Sequence, residues 1–408
     1  MFSSARSVRS RSALLGAAVA AALACSVGTA PAALADDMRS KQWYLDAMDA
    51  DAMWKVSTGS GVTVAVVDSG VDGTVPELKG RVLLGKNIDQ PAKSAREDTN
   101  RHGTNMGLLI AGSGAQGGVK GLAPGAKVLP VKVYENVLPG LKVVSLGIRA
   151  AADTEAKIIS VSLGGSPNDT EDAELKSAVD YALKKGKLIF AAAGNDELDR
   201  IDHPGAYPGV VAVSAIDSKG KVAQWSNHGA GVGLAAPGDE IPGYCTRGAG
   251  YCASHGTSQA TALTSATAAL IWSAHPAWTG NQVLRVMMET AGHNGKVPSQ
   301  YIGYGTVRPA QVLLKGNGNP GPADVNPLLA ARGAGAGAGT STTSPSPADT
   351  ADKGAGGGDQ EKPQAGKAAD SGSEDKDSAP WTVIAIIAAA AVLIGGAFAA
   401  VRVRNKRA

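Results

Sequence analysis

The sequence predicts an α/β fold: a three-layer sandwich around a mainly parallel central sheet, with one transmembrane helix added near the C-terminus. Three observations carry that prediction. Short runs rich in valine and isoleucine alternate with helical patterns. The runs are apolar at almost every position, as strands covered on both faces must be. Finally, residues 381–401 form an apolar stretch without a single charge.

The strand-like runs are residues 62–67, 128–133, 158–163, 188–193 and 210–215. Helical patterns fall between or after them at 106–111, 141–154, 171–185, 258–273 and 279–291. Strands joined by crossover helices give an open sheet whose ligands bind at the carboxyl ends of the strands.

The two ends of the chain read differently from its middle. Arg6, Arg9 and Arg11 precede an apolar run and then Ala33-Leu34-Ala35, the pattern of a signal peptide over residues 1–35. Its removal takes Cys25 away and leaves Cys245 and Cys252. In an exported protein two cysteines most simply form one disulfide, whose short loop would stabilise by roughly 2–3 kcal/mol in the chain-entropy model. A metal pair would want two more soft or nitrogen ligands nearby.

Residues 316–380 are built of Gly, Ala, Ser, Thr, Pro, Asp and Lys with scarcely a large apolar side chain, so they read as a flexible linker. The stretch at 381–401 is long enough for a bilayer core at ~1.5 Å per residue. Arg402, Arg404, Lys406 and Arg407 follow it, and the positive-inside rule then puts the tail at 402–408 in the cytoplasm and the folded part, residues 36–315, outside the cell membrane. The net charge of +3 is small, and no basic stripe with interleaved aromatics points to nucleic acid.

Polar or glycine-rich residues follow three of the runs: Asp68-Ser69-Gly70, Gly164-Gly165 and Gly194-Asn195-Asp196. Asn100-Arg101-His102-Gly103-Thr104 precedes one helical pattern, and Ser254-His255-Gly256-Thr257-Ser258 precedes the longest. A serine at a helix N-terminus has unpaired backbone N–H groups beside it, which suit an oxyanion; the same serine could equally serve as a simple N-cap. His255 is near Ser258 but has no orienting aspartate motif, and the remaining histidines read as surface residues without metal-binding spacing.

In combination these segments resemble the subtilisin-like (S8) peptidases, whose signatures are D-[ST]-G, H-G-T, G-N after an apolar strand, and G-T-S, in that order. The resemblance covers the whole predicted folded region and implies a subtilisin-like sandwich and a serine endopeptidase. It makes Ser258 the nucleophile, His102 the general base and then acid, and Asp68 the group that orients the imidazole. Asn195 becomes an oxyanion donor, and Ser162, Leu163, Gly164, Gly165, Ala193 and Gly194 line the substrate cleft. Protein or peptide substrates are implied, with no cofactor and no metal.

The Gln42-Trp43-Tyr44 start, the cysteine pair before the nucleophile motif and the linker into a basic-tailed span resemble the mycosins in particular. These are membrane-anchored proteases associated with type VII secretion, so secretion-complex subunits join the expected partners. As in that pattern, no folded inhibitory prodomain fits between Ala35 and Trp54. Two departures stand out: Asn105-Met106-Gly107-Leu108 after the histidine motif, and Gln259-Ala260-Thr261-Ala262 without the usual proline after the serine. Alanine suits a helix interior better than proline, so the fold should survive while the placement of Ser258 is affected. The alternative is a peptidase-shaped structural subunit whose catalysis is weak or dispensable. Whether Asp89, Glu97 and Asp98 shield the cleft or merely solubilise a loop stays open.

Overall fold

The computed structural model describes residues 38–331. The signal peptide expected at 1–35, most of the linker and the span at 381–401 lie outside them. Among the described residues no helix is long and apolar enough to cross a membrane.

Seven strands form one sheet: β1 (Thr63–Asp68), β2 (Lys86–Asn87), β3 (Lys127–Lys132), β4 (Ile158–Val161), β5 (Leu188–Ala192), β6 (Val211–Ile216) and β7 (Val232–Pro237). Their order is β2-β3-β1-β4-β5-β6-β7, and every neighbouring pair is parallel. The period of two along each strand divides its residues between two cores. Val64 and Val66 of β1, with Leu188 and Phe190 of β5, belong to one; Ala65, Val67, Ile189 and Ala191 belong to the other. Both cores need helical cover, which explains why these runs are apolar at consecutive positions.

One layer holds α1 (Trp43–Ala47), α2 (Ala50–Met53), α3 (His102–Ala111), α6 (Thr257–Ala274), α7 (Gly280–Glu289) and α8 (Pro309–Leu313). The opposite layer holds α4 (Leu141–Ala152) and α5 (Asp169–Lys184). Helix α5 opens with a capping box between Asn168 and Glu171, and α7 with one between Thr279 and Gln282. Helix α6 is buried over nearly its whole length, which requires its succession of Ala, Thr and Ser. Thr261, Thr264 and Thr267 each return their hydroxyl to the carbonyl four residues earlier, so these three hydroxyls are satisfied inside the core. The missing proline leaves this helix continuous from Thr257 onward, as expected.

All five strand runs are present within two residues at each end, the largest difference being in the third, which ends at Val161 rather than at 163. The first helical pattern begins earlier than expected, at His102 rather than 106. Strands β2 and β7 and helices α1, α2 and α8 were not anticipated.

A two-stranded antiparallel hairpin, β8 (Ile241–Tyr244) and β9 (Tyr251–Ser254), stands apart from the main sheet. Cys245 and Cys252 are joined across its tip, as the disulfide reading expected. Three further ties hold the hairpin to the body. The Tyr244 and Tyr251 hydroxyls donate to buried Glu77 at 2.9 and 2.5 Å. The Arg101 guanidinium donates to the Cys245 and Gly248 carbonyls at 2.9 and 3.0 Å. The Asn105 amide exchanges two hydrogen bonds with the Tyr244 backbone, at 2.9 and 2.7 Å. Asn105, one of the two departures after His102, therefore fastens this hairpin to α3.

Candidate active site

The strand order turns at β1, whose neighbours β3 and β4 lie on opposite sides of it. Such a switch point opens a crevice at the carboxyl ends of the strands. Asp68 ends β1, Ser162 follows β4, and Gly194-Asn195 follow β5, so the sheet brings these segments to one edge.

Asp68 is fully buried, and its Oδ1 lies 2.8 Å from His102 Nδ1. The Ser69 N–H donates to the same oxygen at 2.7 Å, and the Tyr134 hydroxyl, from just beyond β3, reaches it at 3.4 Å. Burial and the charges of Asp68 and Asp98 push the Tyr134 phenol far above its ordinary pKa, so it remains a donor. For His102, burial works against the cation, but the Asp68 charge and hydrogen bond, with help from Asp98, outweigh it and raise the pKa above the ordinary 6.5.

Asp98 holds the loop that delivers His102. It is buried and accepts from the Ser69 hydroxyl at 2.9 Å, the Arg101 N–H at 2.9 Å, and the Thr104 N–H and hydroxyl at 2.8 and 2.6 Å. Neither shielding nor solubilising describes it: the carboxylate ties the Asp68 and His102 segments together. Arg101, immediately before the histidine, has φ 70° and is held by that bond and by its grip on the hairpin.

Ser258 is the second residue of α6; the N-cap is Gly256, so the simple N-cap reading of the serine does not apply. Its backbone N–H is among the first of the helix, which have no acceptor within it. The side chain is largely buried at 7% exposure, and its hydroxyl donates to the Ser162 carbonyl at 3.2 Å. Among the described residues no hydrogen bond joins it to His102, although both line the same cleft. Resting hydroxyls often tighten onto their base only when substrate is bound.

Asn195 is oriented through its carbonyl oxygen, which accepts from the Thr257 N–H at 2.8 Å and the Thr257 hydroxyl at 2.9 Å. Its amide N–H groups are left to donate into the cleft. The preceding Gly194 has φ +113°, and a side chain there would collide with the Asn227 amide, so both backbone and space demand glycine. Fully buried Asn227 in turn accepts from the Asp196 and Leu198 N–H groups, at 2.9 and 3.0 Å, and so shapes the loop after β5.

Two cavities flank Ser258. One, of about 430 Å³, is lined by Ser162, Leu163, Gly164, Gly194 and Asn195 among others. The second, of about 600 Å³, lies against the hairpin, with Tyr244, Arg247 and His255 in its wall. Two further residues expected to line the substrate cleft have contacts of their own. Ala193 is fully buried and packs with Ile201, Ala212 and Val232, because its methyl falls on the core side of the strand end. Gly165 is paired through its backbone with His203. Among the described residues no cluster of His, Cys, Asp and Glu is arranged to hold a metal ion.

The subtilase family model matches residues 59–305, from before β1 to beyond α7. The chain belongs to the subtilase family. This subtilase is 36% identical over 255 residues to Subtilisin E of Bacillus subtilis (strain 168), covering 61% of the chain and 65% of that protein. It thus spans just under two thirds of that relative's length. Among solved structures it is similar to MycP1 from Mycobacterium smegmatis, with a TM-score of 0.61, 25% identity, and coverage of 69% and 86% of the two chains. It is also similar to the MycP3 protease from the type VII (ESX-3) secretion system, with a TM-score of 0.60, 28% identity, and coverage of 67% and 88%.

Proposed function

We propose that this subtilase is a serine endopeptidase that works at the outer face of the cell membrane and processes exported proteins of a type VII secretion system. The observation that carries the catalytic part is the buried Asp68–His102 pair at 2.8 Å, in one cleft with Ser258 at the head of α6 and Asn195 anchored beside it. Ser258 Oγ attacks the peptide carbonyl while His102 takes its proton, and Asp68 stabilises the resulting imidazolium. The Asn195 amide and the Ser258 N–H receive the oxyanion. The leaving amine takes the proton from His102, and water then resolves the acyl-enzyme with the imidazole as base again.

The membrane part rests on the uncharged stretch at 381–401 with its basic tail, and the secretion part on the likeness to MycP1 and MycP3. Secretion-complex subunits at the membrane are the partners this reading adds to its protein substrates. A second reading, a peptidase-shaped structural subunit, draws on one observation: the Ser258 hydroxyl is engaged by Ser162 rather than by His102.

The test is labelling of the purified full-length chain with a fluorophosphonate, alongside Ser258→Ala and His102→Ala. Labelling that requires both residues is expected. A folded wild-type protein that takes up no label refutes the peptidase reading and leaves the structural one. Asn195→Ala should lower kcat by about 10²–10³ with little change in KM, the magnitude measured for the equivalent donor in subtilisin itself. Steady-state kinetics on a peptide substrate decide it, and a loss confined to KM would remove Asn195 from the oxyanion site.

A further inference from the structure

The floor of the smaller cavity carries an acid that the triad does not use. Asp202 is 7% exposed and stands between the two strand ends that form the cavity walls. A methyl group built on Gly164 would lie 2.9 Å from its Cβ, and one built on Gly194 would lie 2.8 Å from its Oδ2. The backbone fixes this position. The Asp202 N–H donates to the Ala193 carbonyl at 2.9 Å, and the adjacent His203 exchanges hydrogen bonds with Gly165 at 2.9 and 3.2 Å. The carboxylate is therefore part of a seam joining the end of β5 to the segment after β4.

Asp202 Oδ1 is buried and accepts no hydrogen bond. Its nearest cation is Arg200, whose Nη2 is 3.9 Å away on a half-exposed side chain that also donates to the Ser166 hydroxyl. That separation is too long for a hydrogen bond, and an ion pair open to water contributes little. A carboxylate enclosed in this way needs a charged donor to satisfy it. The strand-end walls beside it, Leu163, Gly164, Ala192 and Gly194, are apolar or lack side chains; His102, which also lines the cavity, is engaged with Asp68, and Asp196 adds a second acid.

The same cavity is bounded by Ser258 and Asn195. The larger cavity shares both residues, but only this one is also walled by Ser162, Leu163 and Gly164, so a carbonyl held between Ser258 and Asn195 has room to place the side chain of its own residue on the floor. We infer that Asp202 determines specificity, selecting lysine or arginine as the residue on the amino-terminal side of the cleaved bond. This rests on the peptidase reading above and narrows its substrates to exported proteins cut after a basic residue.

The experiment compares hydrolysis by the purified full-length chain of fluorogenic peptides identical except for Arg, Lys, Leu, Phe or Glu at that residue. Because hydrogen bonds to charged groups are the strong ones, kcat/KM for Arg and Lys should exceed that for Leu and Phe by about 10- to 100-fold. Asp202→Asn, which keeps the shape, should collapse that ratio through loss on the basic substrates alone. Arg200→Ala should change turnover of the basic substrates little, because its pair with Asp202 is long and open to water. A wild type that cleaves after Leu or Phe as fast as after Arg, or an Arg-to-Leu ratio unmoved by Asp202→Asn, overturns the assignment. Fluorophosphonate labelling of the same sample separates the two levels: a labelled enzyme with apolar preference removes only the assignment, whereas an unlabelled one removes the peptidase reading with it.

Discussion

Ser258→Ala should reduce peptide hydrolysis on the order of 10⁶-fold, the loss measured when the corresponding serine is removed from subtilisin. Thr257 is the only other hydroxyl in the first turn of α6, and its Oγ1 is bound to Asn195 and to the strand end at Gly194. The substitution deletes one hydroxyl and its 3.2 Å bond to the Ser162 carbonyl, so the fold should lose no more than about 1 kcal/mol. Kinetics paired with a thermal melt therefore report chemistry separately from folding. Adding His102→Ala to Ser258→Ala should cost little more, since residues that act as one unit are strongly non-additive. Retention of a tenth of wild-type activity in the single variant would mean that another group attacks the bond.

The second large effect is expected at Asp68. Asp68→Asn should lower kcat by about 10⁴-fold, the drop that the same change produces in another Ser-His-Asp protease by presenting the wrong imidazole tautomer. The pH profile gives an independent readout. Catalysis needs neutral His102, and its pKa is raised chiefly by the Asp68 charge working against burial. In the wild type, kcat/KM should therefore climb with pH through a midpoint above the ordinary 6.5. With the carboxylate neutralised, burial prevails and the residual activity should rise through a lower midpoint. A midpoint unchanged or shifted upward would show that Asp68 does not set the charge of His102. Asp98 is the reason not to expect a complete collapse, because its carboxylate also favours the cation and remains in place.

Most of the sheet could be read from the chain because strands buried on both faces leave continuous apolar runs, and β1, β3, β5 and β6 all carry them. The motifs at Asp68, His102, Asn195 and Ser258 were legible for a related reason. Each is a short local signal placed just after a strand or at the start of a helix, where the fold itself concentrates reactive groups. The disulfide between Cys245 and Cys252 was expected because they are the two cysteines left once the signal peptide is removed. By contrast, two-residue β2 and the five-residue helices α1 and α8 carry too few residues for any periodicity to register.

What local pattern does not record is how distant segments complete one another. Asp98 reads as one more acid in a polar loop until Ser69 and Thr104 close around it. Asn105 looks like a departure from pattern until Tyr244, 139 positions away, offers its backbone. Asp202 sits in an unremarkable loop, and only the approach of Gly164 and Gly194 turns it into the floor of a cavity. Fold class and the candidate triad were written in local periodicity and short motifs, because backbone geometry and strand-end chemistry act over a few residues. The support of the histidine, the hairpin wall and the charge at the cavity floor were decided by tertiary structure, because burial, which raises the cost of an unpaired charge and the worth of a paired one, exists only after the chain has packed.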